Sequence, residues 1–207
     1  FRLKADDLEK AITDKTKLVV LPFPNNPTGA IMEKEDLEAV AEVIKKHNLF
    51  VLSDEIYSEL TYGGKNHISI ASVDGMYERT VVINGFSKSY AMTGWRLGYA
   101  LGPVPIIAQM TKLHQYGIMS APTTAQYAAI EALRNGDPDV VNMRNEYDMR
   151  RRLVVDSFNA MGLTCFEPYG AFYVFPCIKS TGMTSEDFCT KLIMDTVSYT
   201  HLRAHET

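Results

Sequence analysis

The sequence predicts an α/β protein: a partial large domain with a mostly parallel sheet, followed by a smaller α+β unit. Three observations support this. Short apolar runs rich in β-branched residues recur along the first half of the chain, an amphipathic helix separates the first two, and polar residues follow each run directly. Continuous apolar runs are typical of parallel strands that are covered on both faces. A strand, a helix and a second strand in succession indicate a parallel pair.

In the large domain we predict four strands, at residues 17–23, 49–54, 80–84 and 96–102. The first run, KLVVLPF, ends at a proline, and we expect it and the second run to be buried on both faces. Helices are predicted at 5–13 and 33–48. The second has acidic residues in its first turn and basic residues in its last, as the helix dipole favours. Its apolar stripe consists of Leu37, Val40, Ala41 and Ile44.

The second half of the chain is mostly helical in prediction, with helices at 105–116, 123–135, 137 to about 161, and 184–192. Asp137 followed by Pro138 is typical of a helix start, and Ser185 is a candidate N-cap. A short aromatic strand is predicted at 170–176. We place the domain boundary at Gly136, so that residues 1–136 form the large domain and 137–196 a long linking helix and a partial small domain.

The last residues, VSYTHLRAHET (197–207), break the helical pattern before them. They resemble the translation of a sequencing-library adapter, so we expect a non-native tail. A genuine polar tail is the alternative.

Composition narrows the class of protein. Of the 207 residues, 46% are hydrophobic and 22% are charged, and the net charge is −4, which is typical of a soluble globular protein. No apolar run has the length of a membrane span, and no basic cluster indicates nucleic acid. The three cysteines show no CxxC spacing. We therefore expect reduced thiols and a cytoplasmic location, with neither membrane nor nucleic acid as a partner.

Polar clusters follow three of the predicted strands: PNNPTG (24–29), SDEIY (53–57) and NGFSK (84–88). Ligands of open α/β sheets bind beyond the carboxyl ends of the strands, so these clusters would face one crevice. Each has a plain structural alternative. The first could be a simple turn, Asp54 and Glu55 could cap a helix, and Lys88 could extend to the surface.

Together with GFSKSYAMTGWRLGY (85–99), these clusters resemble the signature of class I/II aminotransferases, enzymes of fold type I that depend on pyridoxal 5'-phosphate (PLP). The resemblance spans residues 1–192. It implies that the family's phosphate-binding turn, its ring-stacking aromatic residue and its substrate-carboxylate arginine lie outside this sequence. We therefore expect a fragment that is inactive alone and forms a homodimer when complete.

The resemblance implies a role for several residues. PLP needs a primary amine to hold it as a Schiff base, and Lys88 is the candidate; once freed by substrate, the same amine can move the substrate's Cα proton. Asp54 would keep the pyridine nitrogen protonated, because a nearby carboxylate raises its pKa. Glu55 would point to the other side of its strand.

The remaining cofactor contacts follow from the same resemblance. Tyr57 and Asn26 would donate to the phenolate oxygen of the ring, and the peptide bond between Asn26 and Pro27 is expected to be cis. Arg96 would bind the phosphate, with the Ser87 hydroxyl as a second donor. One departure stands out: many relatives have a hydroxyl residue where this sequence has Gly85. This weakens the assignment of Ser87, and Ser89 is an alternative donor.

The predicted function is therefore transfer of an amino group between an amino acid and a 2-oxo acid, with the particular substrates left open. Two alternatives remain: a PLP-dependent lyase or synthase of the same fold, such as a carbon–sulfur β-lyase, and an aminotransferase-like effector domain of a transcription regulator. Metal ligation is not predicted. In GAFYVFP (170–176), we interpret Phe172 and Tyr173 as core residues rather than as site contacts.

Overall fold

The computed structural model describes residues 1–195, so the predicted non-native tail at 197–207 lies outside the described residues. The strands are β1 (Leu18–Pro22), β2 (Phe50–Asp54), β3 (Thr80–Gly85) and β4 (Gly98–Leu101). The helices are α1 (Ala5–Ala11), α2 (Lys34–Lys46), α3 (Phe86–Ser89), α4 (Val104–Gly117), α5 (Thr123–Asn135), α6 (Asp137–Ala160) and α7 (Ser185–Asp195). None of the helices in this part of the chain is both long and apolar enough to cross a bilayer.

The four strands form one sheet in the order β1-β2-β3-β4. The first three are parallel, and β4 runs antiparallel to β3. Pro22 pairs with Asp54, and Asp54 pairs with Ile83, so the carboxyl ends of β1, β2 and β3 lie at the same edge. The predicted α/β class with a mostly parallel sheet is confirmed.

Helix α2 forms where its sequence predicts it. Its first turn is closed by a capping box, in which the backbone N–H of Glu33 donates to Asp36 Oδ2 at 3.0 Å and the Glu33 side chain accepts from the Asp36 backbone. The predicted stripe is fully buried and packs with residues of α1, β1 and β2 in the main core. That core comprises Leu8, Val19, Leu21, Met32, Leu37, Val40, Ala41, Ile44, Leu49, Val51, Ile70 and Met76.

The expectation that β1 and β2 are buried on both faces is wrong for the described residues. Side chains alternate between buried and exposed along β1, and Leu18, Val20 and Phe50 are about half exposed. The reason is that the buried side chains Val19, Leu21 and Val51 pack with α1 and α2 on one face only. Within residues 1–195 the opposite face of these two strands is open to water.

The predicted strand at 170–176 is also absent from the structure of residues 1–195. Ala171 has a φ of +56° and begins a turn, which interrupts the extended backbone. Isolated bridges remain on either side, between Thr61 and Gly170 and between Cys165 and Pro176. The Ala171 backbone N–H instead donates to the Leu60 carbonyl at 2.9 Å. The segment therefore packs as a loop against the chain that follows β2.

Two of the predicted helix caps differ in detail. Asp137 is the first residue of α6, and Gly136 is its N-cap residue. For α7 the Asp187 backbone N–H donates to Thr184 Oγ1 at 3.1 Å, so Thr184 caps the first turn and Ser185 is the first helical residue. The helices begin where expected; the capping residue differs by one position in each case.

A buried guanidinium attaches α6 to the neighbouring loops. Arg151 donates through Nε and Nη2 to Asp148 Oδ1 at 2.9 and 2.7 Å, and through Nη1 to Glu167. Its guanidinium also lies 5.5 Å from the ring centre of Tyr62 and 5.9 Å from that of Tyr169. One side chain thus joins α6 to the loop after β2 and to the loop that precedes Ala171.

Candidate active site

Lys88 lies on α3, the short helix that begins directly after β3, and its side chain is partly buried. Its amine is 5.7 Å from the ring centre of Tyr57 and 5.4 Å from that of Phe172. Within residues 1–195 it forms no ion pair. The sequence therefore places a primary amine at a strand end, next to two aromatic rings.

Gly85 is required by the close approach of β4. It pairs with Gly98, and a Cβ atom on Gly85 would lie 2.9 Å from Gly98 Cα and 3.0 Å from the Leu97 carbonyl oxygen. Its φ of 178° is extended, so space rather than backbone conformation excludes a side chain. A hydroxyl side chain at this position would therefore require β4 to move away from β3.

Asp54 and Glu55, adjacent at the end of β2, have separate environments. The Asp54 carboxylate is partly buried and accepts from the Ile56 backbone N–H at 3.2 Å. Glu55 is buried and accepts from Ser53 Oγ at 2.9 Å and Ser69 Oγ at 2.6 Å, with His67 Nε2 at 2.8 Å. Burial alone would raise the pKa of the Glu55 carboxyl, but these hydrogen bonds outweigh it and hold the pKa below its ordinary value. As predicted, Glu55 is turned away from Asp54.

Tyr57 is almost completely buried, and its hydroxyl lies 2.7 Å from the hydroxyl of Tyr173. Burial raises the pKa of Tyr57 well above its ordinary value, and the Tyr173 hydrogen bond and the charge of Asp54 act in the same direction. The Asn26 side chain acts in the opposite direction, as a hydrogen bond from an amide would. Tyr57 is therefore a neutral phenol close to Asp54 and Asn26.

The Asn25 side chain holds the loop that carries Asn26 through hydrogen bonds. Asn25 Nδ2 donates to the Pro22 carbonyl at 3.2 Å, and Asn25 Oδ1 accepts from the Thr28 hydroxyl at 2.6 Å. Asn26 itself is exposed. The predicted cis bond between Asn26 and Pro27 is confirmed, and the bond between Phe23 and Pro24 is also cis. Asn25 therefore organises the turn and leaves the Asn26 amide available for other contacts.

Arg96 and Ser87 are less connected. Arg96 is exposed, with a φ of +53°, and its Nη1 donates to the Thr93 carbonyl at 2.8 Å. No hydrogen bond or ion pair within residues 1–195 joins Arg96 or Ser87 to the other predicted site residues. The structure therefore brings Asn26, Asp54, Tyr57 and Lys88 together. Ser87 adjoins Lys88 on α3, and Arg96 lies two residues before β4.

Phe172 and Tyr173 both belong to this cluster. The interpretation as core residues holds for Tyr173, which packs against the buried cluster that contains Tyr57, and is wrong for Phe172. Phe172 is 38% exposed and packs edge-on against Tyr57, with ring centres 5.3 Å apart. The two aromatic residues follow the turn at Ala171, where φ is +56°. Their approach to Tyr57 spans more than a hundred residues of chain, which no local pattern could reveal.

Comparison with known proteins assigns the chain to a family. The family model described as aminotransferase class I and II matches residues 1–205. The chain belongs to this family.

Curated aminotransferases similar to the chain include the putative aminotransferase YugH of Bacillus subtilis, 53% identical over 193 residues. The aspartate aminotransferase of Pyrococcus abyssi is 48% identical over 197 residues. These alignments cover 93% and 94% of the chain, and 50% and 51% of the relatives. The crystal structure of the aromatic aminotransferase from Pyrococcus horikoshii matches with a TM-score of 0.90 and 48% identity, over 93% of the chain and 52% of that protein. The chain spans about half the length of the curated relatives it matches.

Class I and II aminotransferases depend on PLP, and the donor set of this chain fits that cofactor. Lys88 supplies the primary amine that an aldehyde cofactor requires, and within residues 1–195 no carboxylate pairs with it. The partly buried carboxylate of Asp54 suits a protonated ring nitrogen, and the buried phenol of Tyr57 suits a phenolate oxygen. The exposed guanidinium of Arg96 suits a phosphate.

Proposed function

We propose that the complete product of this gene is a PLP-dependent aminotransferase that moves an amino group between an amino acid and a 2-oxo acid. The observation that carries the proposal is the position of the Lys88 amine, 5.7 Å from the Tyr57 ring centre, at the sheet edge where Asp54 also ends its strand. Bound PLP supplies an aldehyde that condenses with amines and a ring that accepts electrons.

Each side chain has a defined task in this proposal. Lys88 would hold the aldehyde group of the cofactor through its amine, and the same amine, once free, would accept the Cα proton of the substrate. Asp54 keeps the proton on the ring nitrogen by charge attraction. Tyr57 donates its phenol proton to the ring's phenolate oxygen, and Asn26 donates from the opposite loop. Arg96 binds the phosphate, with Ser87 as a second donor.

We also propose an oligomeric state, a location and a domain boundary for the complete protein. We propose that the complete protein is a homodimer in the cytoplasm, and that the division between its large and small domains falls at Gly136, between α5 and α6. Because the chain spans about half of its relatives, we expect residues 1–207 alone to bind PLP weakly and to be inactive.

The proposal is tested by expressing the complete gene product with PLP. We expect an absorbance band at the violet edge of the visible spectrum, and its loss when borohydride reduces the protein and fixes the cofactor to the peptide that contains Lys88. K88A should lack the band. K65A is the matched control, because Lys65 is also a partly buried lysine but pairs with Glu33. An intact protein without the band would refute the proposal.

A second measurement separates transfer from the alternative lyase activity. An amino acid donor should convert the bound cofactor stoichiometrically to its pyridoxamine form, and a 2-oxo acid should restore the original absorbance. Steady release of pyruvate and ammonia without any oxo-acid acceptor would instead indicate a lyase. Screening aspartate, aromatic and alanine-type donors in this assay would define the substrate class.

A further inference from the structure

Tyr173 contacts Tyr57 from the second half of the chain. The two hydroxyl oxygens are 2.7 Å apart, and the two residues are separated by 116 positions in the sequence. Their rings meet edge-on, with centres 5.8 Å apart. Tyr57 is almost completely buried, whereas Tyr173 is only partly so. The Tyr57 hydroxyl therefore has a fixed polar partner in a place with little access to water.

Three hydrogen bonds hold the backbone just before Tyr173. The Gly170 N–H donates to the Gly29 carbonyl and the Ala171 N–H to the Leu60 carbonyl, both at 2.9 Å. The Tyr62 hydroxyl donates to the Ala171 carbonyl at 2.5 Å. Because these partners lie in the loops that follow β1 and β2, the position of Tyr173 is tied to the same strand ends that carry the site.

A phenol hydroxyl has one proton to donate and lone pairs with which to accept. If Tyr173 donates to the oxygen of Tyr57, the proton of Tyr57 is directed to another acceptor, and hydrogen bonds in a chain strengthen one another. Donation from Tyr57 to Tyr173 is the direction that raises the pKa of Tyr57; a phenolate ligand, as the stronger acceptor, would take the Tyr57 proton and reverse that hydrogen bond. The first arrangement makes Tyr57 a better donor, and it needs the Tyr173 hydroxyl specifically, since a phenylalanine would preserve the ring contact.

We propose that Tyr173 is a positioning residue, whose hydroxyl donates to the Tyr57 oxygen and directs the Tyr57 proton toward the phenolate oxygen of the cofactor. The proposal rests on the proposed PLP-dependent function. A hydrogen-bond donor that faces the phenolate oxygen stabilises the deprotonated form of the bound cofactor. Tyr173 therefore lowers the pH midpoint of the cofactor's absorbance titration. It acts through Tyr57 and does not touch the cofactor itself.

The experiment compares the complete gene product with its Y173F, Y57F and Y57F/Y173F variants, each loaded with PLP. The quantity measured is the pH midpoint of the cofactor's absorbance titration. We expect Y173F to raise the midpoint by about 0.3–1 pH unit, the shift that one hydrogen bond carries. Y57F should raise it further, and the double variant should match Y57F, because the Tyr173 hydroxyl then has no phenol on which to act.

Y169F is the matched control. Tyr169 precedes the same turn, but its ring faces Lys65 and Arg151. The Y169F titration midpoint should therefore equal that of the wild type. A Y173F midpoint equal to the wild type, or a double variant whose shift is the sum of the single shifts, would overturn the inference while leaving the proposed function intact. Failure of Y173F to fold would show that the hydroxyl is structural and would also overturn it. Absence of the cofactor band from the wild type would refute the proposed function as well.

Discussion

Replacing Arg151 with methionine tests whether one buried guanidinium attaches α6 to the rest of the molecule. Methionine fills a similar volume but removes the charge and every hydrogen-bond donor. In the wild type the side chain is 8% exposed and binds Asp148, Glu167 and the Pro168 carbonyl. The change therefore leaves two carboxylates and one carbonyl without their shared partner.

The expected loss of stability follows from the exposure of those partners. Removing one member of a fully buried ion pair costs about 3–5 kcal/mol, mainly because the remaining charge cannot reach water. Here Asp148 is 24% exposed and Glu167 is 43% exposed, so both carboxylates can be partly rehydrated. We therefore expect R151M to lower the free energy of unfolding by about 2–3 kcal/mol, below the fully buried range.

The assay is urea unfolding of the complete gene product, followed by circular dichroism. With a slope of about 2–3 kcal/mol per molar, the R151M midpoint should fall by about 1 M. R150M is the matched control on the same helix, because the Arg150 side chain is 69% exposed and pairs with Glu146 one turn earlier, an interaction that contributes only about 0.3–0.5 kcal/mol. Equal midpoints for R150M and R151M would refute the reasoning.

Two further predictions concern residues that hold the site in place. Because the folded pKa of Glu55 lies below its ordinary value of 4.5, its contribution to stability is present above pH 4.5 and is lost as the pH falls through the folded pKa. E55Q should therefore destabilise the protein by about 1–3 kcal/mol at pH 7 and by less at pH 3, when unfolding free energies are compared; an equal loss at both values would contradict this. G29A should lower the free energy of unfolding by about 3–4 kcal/mol, because its φ is +72° and the new Cβ would lie 2.5 Å from Pro168 Cβ. G64A, with a φ of +73° in open space, should lose only about 1–2 kcal/mol, and a thermal melt in which the two variants coincide would exclude crowding as the cause.

Local signals in the sequence were sufficient for most of the fold. The stripe from Leu37 to Ile44 repeats every three to four residues, and the acids and lysines at its ends define the limits of α2 within two residues. The ends of β1 and β3 could be predicted because proline, or asparagine and glycine, follow their apolar runs, and that of β2 because Ser53 and Asp54 follow its run. These features act between near neighbours, so the sequence displays them without reference to the rest of the molecule.

The features that were predicted wrongly depend on distant contacts. Ala171 adopts a positive φ because the Leu60 carbonyl and the Tyr62 hydroxyl hold its backbone, and nothing in GAFYVFP itself requires that conformation. The exposure of Val20 depends on which face of the sheet the helices cover, and an apolar run is compatible with either outcome. For the same reason, the contact between Tyr173 and Tyr57 could be found only from the folded chain.

The opposite orientations of Asp54 and Glu55 have a consequence for how this protein can vary. Successive side chains of a strand alternate between faces, so a shift of one residue in the pairing of β2 would exchange the two acids. Glu55 would then meet the crevice, and Asp54 would face Ser69 and His67 with a shorter reach. The turn between α2 and β2 can accommodate an insertion without changing the register of the strand. A single residue gained or lost within Phe50–Ser53 would instead change which acid faces the crevice, even if the sheet still formed.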